Sequence, residues 1–306
     1  MVDKTFNILS LDGGGIRGVF PAHIIKCIEE RLNISIYEKF DMLAGTSTGS
    51  IIAAGIAFGK SPAEIVDLYQ NNGEKIFSCK VKSWWPSWGK QGAHSKYAND
   101  ELKNVLEAEF GGSVLGDIAK PLLIPSTDIG NGGVHIFKSG YSSQFTRDSS
   151  VLLKEAVLAS CSAPTFFDPA QVGEYLLADG GIWANNPTLA AVIEAKNRLG
   201  VNVENIRVLS IGTGHSRTAY GTNNFKRWGL LTGWKGTGFI EFLLSLQAES
   251  IQNYIQLMLD RHQLMRVNFE TDLPLPLDDF SIMEDLISRA DKTFSYLSED
   301  IKKFLD

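Results

Sequence analysis

The sequence has 306 residues, of which 44% are hydrophobic and 21% charged, and its formal net charge is −6. A chain of this length and composition can bury a large core, which excludes an intrinsically disordered protein. The acidic balance provides no overall positive field, so we expect no nucleic-acid partner. No apolar run approaches the roughly 18 residues that a membrane span requires, so we expect any membrane contact to be peripheral.

The three cysteines, Cys27, Cys79 and Cys161, lie far apart in the sequence. Their spacing fits neither a disulfide framework nor a zinc ribbon, and it favours a reducing compartment. Residues 1–7 lack the charged and apolar regions of a signal peptide. Together these features predict a soluble cytoplasmic protein.

The hydrophobic pattern alternates between strands and helices along the chain. Residues 6–11 are typical of a short buried strand, and residues 19–32 place apolar side chains on one helical face. A second strand at 40–44 leads into an almost entirely apolar helix at 50–58. Further strands are predicted at 121–129, 134–138, 175–178 and 206–211, and further helices from Ser61 and over 151–160 and 188–199.

This alternation predicts an α/β fold in which a mainly parallel sheet is sandwiched by helices. From about 236 to 306 the pattern is mostly helical, with helices at 239–260 and 281–305. These helices would either cap the sheet or form a small appendage. We expect a single domain over residues 1–306 with its core at about 6–214.

A glycine-rich loop, DGGGIRG at residues 12–18, lies between the first strand and the first helix. Its G-x-G-x-x-G spacing matches the dinucleotide-binding fingerprint, but the next strand has no acidic residue at its end to hold the ribose. In either case, unshielded backbone N–H groups beside a helix N-terminus form an anion site. The anion would be a phosphate or the oxyanion of an acyl-transfer intermediate.

The segment GTSTG at residues 45–49 matches the pattern G-x-S-x-G between a strand and an apolar helix. The sharp turn lifts the hydroxyl of Ser47 clear of the sheet, and Gly45 and Gly49 leave room where strand and helix cross. Ser47 is therefore the candidate nucleophile.

A serine nucleophile needs a base, and the sequence offers two arrangements. Asp179 ends a short strand before Gly180 and Gly181, so its carboxylate can face a cleft and accept the serine proton directly. His215 follows a strand and a glycine turn, and it could instead complete a Ser–Asp–His triad with Asp179.

The other histidines give weaker signals. His23 lies in the first helix and is interpreted as structural, and His262 lies in a helical region. His94 and His135 have no supporting motif.

An aromatic segment at residues 77–97 reads as an irregular insertion or lid. It carries Trp84, Trp85 and Trp88, flanked by the lysines Lys80, Lys82 and Lys90. Tryptophan favours the headgroup region of a bilayer, and each lysine near anionic lipid could add about 1 kcal/mol. We predict that this segment contacts a membrane; packing into the core or a subunit interface is the alternative.

Taken together and in this order, the motifs resemble the patatin-like phospholipase family. The resemblance rests on the glycine loop, the serine elbow and three later segments. These are ASCSAPTFF at 159–167, Asp179-Gly180-Gly181 with NNP at 185–187, and LSIGTG at 209–214. It covers about residues 6–214. The chain departs from many members in having Ser50 where they have a further glycine, and the tryptophan segment and the region after Gly214 match no family motif.

The resemblance implies that Ser47 is the nucleophile and Asp179 the base of a catalytic dyad. It implies an oxyanion hole made by the N–H groups of Gly13, Gly14 and Gly15. Arg17 would hold this loop or bind the substrate phosphate.

The activity implied by the resemblance is hydrolysis of acyl esters of membrane phospholipids through an acyl-enzyme, with no metal or cofactor. The chain also resembles patatin-like effectors of bacterial antiphage systems, which implies a cyclic nucleotide activator and a role in antiviral defence. The sequence leaves the oligomeric state open. The alternatives are an α/β-hydrolase-type esterase using Ser47, Asp179 and His215, and a non-enzymatic nucleotide-binding module built on the glycine loop.

Overall fold

The structure is a computed structural model that describes residues 5–77, 95–217, 237–273 and 275–306. Trp84, Trp85 and Trp88 and their flanking lysines lie outside the described residues, so the membrane role of that segment stays a prediction.

The described residues form an α/β arrangement of strands and helices. The strands are β1 (Phe6–Leu11), β2 (Met42–Gly45), β3 (Leu122–Asp128), β4 (Gly133–Lys138), β5 (Ala170–Val172), β6 (Tyr175–Asp179), β7 (Ile206–Ile211), β8 (His215–Ser216), β9 (Leu264–Val267) and β10 (Glu270–Thr271). The helices are α1 (Val19–Leu32), α2 (Ile36–Lys39), α3 (Thr48–Ala57), α4 (Pro62–Ile76), α5 (Asp100–Phe110), α6 (Leu153–Cys161), α7 (Gly181–Ala184), α8 (Thr188–Arg198), α9 (Thr237–Met258) and α10 (Met283–Leu305).

The main sheet has the strand order β5-β6-β3-β2-β1-β7-β9, with β4 also paired to β3. Strands β3, β2, β1, β7 and β9 run parallel, whereas β4, β6 and β5 add antiparallel pairs at one side. Side chains alternate between the two faces, since Ile8 packs into one core and Leu9 and Leu11 into the other. The predicted mainly parallel sheet between helices is confirmed.

The two faces of the sheet carry different helices. Helices α1, α3, α4, α6 and α10 contribute to the larger core, and α8 and α9 pack on the opposite face. No helix among the described residues is both long and apolar enough to cross a bilayer.

The C-terminal part of the chain differs from the prediction. Between the two expected helices, β9 joins the main sheet beside β7, with Val208 opposite Leu264 and Ile211 opposite Val267. A four-residue strand at a sheet edge is too short to show a clear alternation in the sequence. Helix α10 packs on α1, so this region is not a separate appendage but completes the sheet and one helical layer.

We predict that truncating the buried face of α10 destabilises the whole fold. Phe294 is 2% exposed, whereas Tyr296 on the same helix is 76% exposed. Phe294→Ala should lower the free energy of unfolding by about 3–5 kcal/mol. Tyr296→Ala is the matched control and should change it by less than about 0.5 kcal/mol. Chemical denaturation measures both, and equal effects would show that α10 is not part of the core.

Candidate active site

Ser47 occupies a strained turn between strand β2 and helix α3. Its φ of 52° and ψ of −125° lie in a region that residues with side chains rarely adopt. The chain reverses sharply there, and Ser47 lines an apolar cavity at the end of the sheet. The conformation is that expected of a nucleophile elbow.

The glycines on either side of the turn are required by close backbone approaches. A Cβ atom at Gly45 would lie 2.1 Å from the carbonyl oxygen of Gly49, and one at Gly49 would lie 2.3 Å from that of Leu11. Any side chain at either position would push strand and helix apart. This is the steric role that the sequence motif predicts for Gly45 and Gly49.

Two serine side chains hold the backbone of the elbow. The N–H of Ser47 donates to Oγ of Ser160 at 2.9 Å, and Ser160 donates in turn to the carbonyl oxygen of Pro125 at 2.6 Å. The hydroxyl of Ser50 donates to the carbonyl oxygen of Ser47 at 2.6 Å. At the position where many family members have glycine, Ser50 thus adds a hydrogen bond to the turn.

Asp179 lies at the end of β6 and is 3% exposed. Its Oδ1 accepts the N–H of Gly181 at 2.6 Å, and Asp179 lines the same cavity as Ser47, whose hydroxyl lowers the pKa of the carboxyl group. A Cβ atom at Gly180 would lie 2.2 Å from the carbonyl oxygen of Pro125, so β3 and the turn after β6 touch through backbone alone. Strand β6 therefore places the predicted base against the predicted nucleophile.

Burial sets the proton affinity of this carboxyl group. Loss of solvation raises the pKa of Asp179 to about 7, while the hydrogen bond from Gly181 and the nearby hydroxyl of Ser47 act in the opposite direction. A carboxyl group with a pKa near neutrality can both accept and return a proton at physiological pH.

The glycine loop lies beside Ser47, but its three glycines are not equivalent. The N–H of Gly13 donates to the carbonyl oxygen of Asn185 at 2.9 Å and is therefore not free to bind an oxyanion. The N–H groups of Gly14 and Gly15 have no acceptor within the described part of the chain, and both residues line the cavity with Ser47. Gly15 has a φ of 59°, which glycine tolerates without strain.

Arg17 holds this loop and does not line the cavity that contains Ser47. Its guanidinium is 6% exposed and donates to the carbonyl oxygens of Gly14 at 3.1 Å and Leu275 at 3.2 Å. Burial lowers the pKa of Arg17 to about 10. These hydrogen bonds agree with the first of its two predicted roles, holding the loop, and binding of a substrate phosphate stays a prediction.

A buried ion pair fixes the start of the glycine loop. Asp12 is 2% exposed, and its Oδ1 accepts from Nη1 of Arg266 on β9 at 2.9 Å. The same Arg266 nitrogen also donates to Ser210 at 2.7 Å. The loop is thus tied to the C-terminal strand of the sheet.

His215 is not brought to the candidate dyad. It lies on β8 and lines a separate polar cavity with Glu270, Arg17 and Arg266. Among the residues with described positions, no histidine lines the cavity of Ser47 and Asp179. The geometry therefore gives the triad alternative no support, and the non-enzymatic module leaves the placement of Ser47 and Asp179 in one cavity unexplained.

The lining of the cavity around Ser47 is mostly apolar. It extends from Gly14 and Ser47 between helices α3 and α4 and towards α9. Its apolar lining includes Ile51, Leu68, Ile76, Phe166, Phe167 and Leu244. Such a lining suits an extended hydrocarbon chain.

Three supporting residues could not be found from the sequence. Arg266, Ser160 and Asn185 reach the site from β9, α6 and the turn before α8, far from the motifs that they support. Asn185 and Ser160 lie inside segments that the sequence singles out, but nothing in those segments indicates their partners. Arg266 carries no local signal.

Comparison with known proteins agrees with this geometry. The family model described as patatin-like phospholipase matches residues 9–192. The chain is 29% identical over 259 residues to the cGAMP-activated phospholipase of Pseudomonas aeruginosa, covering 82% of this chain and 75% of that protein. It is 33% identical over 220 residues to the cUMP-AMP-activated phospholipase of Escherichia coli, and the match covers 69% of this chain and 66% of that protein.

A solved structure shows the same fold at greater distance. The structure of VipD from Legionella pneumophila superposes with a TM-score of 0.50 and 15% identity. The match covers 97% of this chain and 67% of VipD.

We predict that removing Arg266 destabilises the protein by leaving Asp12 buried and unpaired. Arg266→Met should cost about 3–5 kcal/mol in the free energy of unfolding. Adding Asp12→Asn should recover part of this loss. Arg217, which pairs with Glu270 at 65% exposure, is the matched control, and Arg217→Met should leave the unfolding midpoint unchanged. If Arg266→Met unfolds like Arg217→Met, the pair does not anchor the loop.

Proposed function

The chain belongs to the patatin-like phospholipase family, and we propose that it hydrolyses acyl esters of membrane phospholipids with a Ser47–Asp179 dyad. The main support is that Ser47 lines the same cavity as a buried carboxyl group, that of Asp179, whose pKa is about 7. A buried base of this strength beside a strained serine is the arrangement that nucleophilic ester hydrolysis needs.

In the first half-reaction, Oγ of Ser47 attacks the ester carbonyl carbon while the carboxylate of Asp179 accepts the hydroxyl proton. The carbonyl oxygen gains negative charge in the tetrahedral intermediate, and the N–H groups of Gly14 and Gly15 donate to it. The carbon–oxygen ester bond then breaks, and Asp179 gives its proton to the departing alcohol of the lysophospholipid. The acyl group stays on Ser47.

In the second half-reaction, Asp179 accepts a proton from water, which attacks the acyl-enzyme through a second tetrahedral intermediate. Breaking the bond to Oγ releases the fatty acid and returns the proton to Ser47. Gly13 does not serve as a donor in this scheme because Asn185 already accepts its N–H.

The apolar cavity supports a lipid substrate over a small polar ester. Its lining reaches away from Ser47 along α3 and α4, so it would hold the acyl chain whose ester bond is cleaved. Residues 84–88, with three tryptophans, remain the segment that we propose to contact the membrane surface.

We propose further that a cyclic dinucleotide activates the enzyme as part of antiviral defence. The support is the similarity to relatives described as cGAMP-activated and cUMP-AMP-activated phospholipases. Because these relatives differ in the activating nucleotide, the sequence similarity supports the class of activator and not one compound.

We predict that the dyad residues are essential and that His215 is not. Ser47→Ala and Asp179→Asn should each lower turnover of a soluble short-chain ester by about a thousandfold or more. His215→Ala should retain most of the wild-type rate. Asp117, an exposed residue, provides the control variant Asp117→Asn, which should behave as the wild type. Circular dichroism checks that each variant is folded. A folded His215→Ala enzyme without ester turnover would favour the triad.

We predict that nucleotide controls activity on membranes. Fatty acid release from phospholipid vesicles by the wild type should rise at least about tenfold with either cGAMP or cUMP-AMP. Ser47→Ala should release none under any condition. Equal release with and without each nucleotide would reject this activation but keep the lipase assignment. No release by a wild type that still cleaves the soluble ester would reject the lipid substrate.

A further inference from the structure

A cluster of potential metal ligands lies between helices α1 and α10, apart from the candidate dyad. His23 and Cys27 are one helical turn apart on α1, and both face Asp291 on α10. Nε2 of His23 lies 3.3 Å from Oδ1 of Asp291, and Sγ of Cys27 lies 3.7 Å from the same oxygen. One nitrogen, one sulfur and one oxygen all lie within 4.8 Å of one another.

Within the described part of the chain, the imidazole of His23 has no hydrogen-bond partner. Both ring nitrogens are buried, and neither makes a hydrogen bond, because the contact with Asp291 does not have hydrogen-bond geometry. Buried polar atoms are nearly always satisfied, and an exception indicates a water molecule, an ion or a special role. Here the imidazole of His23 lies beside the thiol of Cys27 and the carboxylate of Asp291, and both groups commonly bind metal ions.

Two of the three distances between ligand atoms in the cluster are close to those around one tetrahedral zinc ion. Zinc–nitrogen and zinc–oxygen bonds of about 2.0 Å and a zinc–sulfur bond of about 2.3 Å place nitrogen and oxygen about 3.3 Å apart. The same bond lengths place sulfur and oxygen about 3.5 Å apart. The observed distances from Oδ1 of Asp291, 3.3 Å to nitrogen and 3.7 Å to sulfur, lie within about 0.2 Å of these values.

We propose that His23, Cys27 and Asp291 bind a divalent transition metal, with zinc as the best match to a nitrogen, sulfur and oxygen ligand set. Water would complete the tetrahedron on the open side, where the Asp291 side chain is 42% exposed. Arg31 donates to Oδ1 of Asp291 at 2.5 Å and orients the carboxylate from outside, as partners of metal ligands commonly do.

The site would have a structural role. Helix α1 follows the glycine loop directly, and the chain before α10 supplies the carbonyl oxygens of Leu275 and Leu277 that accept from Arg17 and Ile16. A metal ion joining α1 to α10 therefore connects two segments that already hold the loop. The dyad mechanism needs no metal, so a chelator should lower thermal stability and leave the chemical step intact.

The test begins with metal-free protein titrated with zinc against a chromophoric chelator. We expect one zinc ion per chain, a melting temperature raised by several degrees in excess zinc, and a dissociation constant at least about a hundredfold weaker in His23→Gln, Cys27→Ser and Asp291→Asn. His262, an exposed histidine, provides the control variant His262→Gln, which should bind as the wild type.

Cobalt substitution tests the ligand set directly in the wild-type protein. A thiolate ligand gives cobalt an intense near-ultraviolet charge-transfer band, which should vanish in Cys27→Ser and persist in Cys161→Ser. Absence of stoichiometric zinc binding by the wild type would overturn the proposal. So would a thiolate band that survives in Cys27→Ser, or three folded ligand variants that bind zinc as tightly as the wild type.

Discussion

Proton transfer in the proposed dyad depends on the burial of one carboxyl group beside one hydroxyl group. Asp179 is 3% exposed, and loss of solvation raises its pKa to about 7. A carboxyl group with an ordinary pKa of about 3.9 would be too weak a base for a serine hydroxyl, and burial strengthens it without a histidine. The apolar cavity that would receive the acyl chain also excludes water from this carboxyl group, so one arrangement serves substrate binding and proton transfer.

Burial of the dyad requires the surrounding backbone to approach closely. Side chains at Gly45, Gly49 or Gly180 would collide with neighbouring backbone atoms, so these glycines allow strand, turn and helix to meet. The glycine loop has a different support, because Arg17 and the Asp12–Arg266 pair join it to segments more than 200 residues away. The C-terminal part of the chain is thus a structural component of the candidate oxyanion hole.

Local signals account for what the sequence predicted correctly. Three elements have the predicted bounds: the strands at 6–11 and 206–211 and the helix at 19–32. In each of them the hydrophobic residues follow a clear pattern that ends at a glycine or a polar residue. The motifs that single out Ser47 and Asp179 each lie at the end of a strand beside glycines, and the structure brings both residues to one cavity. The short strand β9, the use of the Gly13 N–H by Asn185 and the inward position of Arg17 depend on long-range contacts. Such contacts leave no pattern in the residues nearby.

In the proposed dyad, Asp179 activates Ser47 without a histidine. The pH dependence of Ser47 labelling by a fluorophosphonate tests this activation. Because the base must be ionised to accept the proton, the labelling rate should rise about tenfold per pH unit below pH 7 and level off above it. An ordinary histidine titrates near pH 6.5, so the profile must be measured in the wild type and in His215→Ala. We expect the labelling rate to depend on pH in the same way in both proteins, and we expect no labelling in Asp179→Asn. Loss of this pH dependence in His215→Ala, or its persistence in Asp179→Asn, would contradict activation by Asp179 alone.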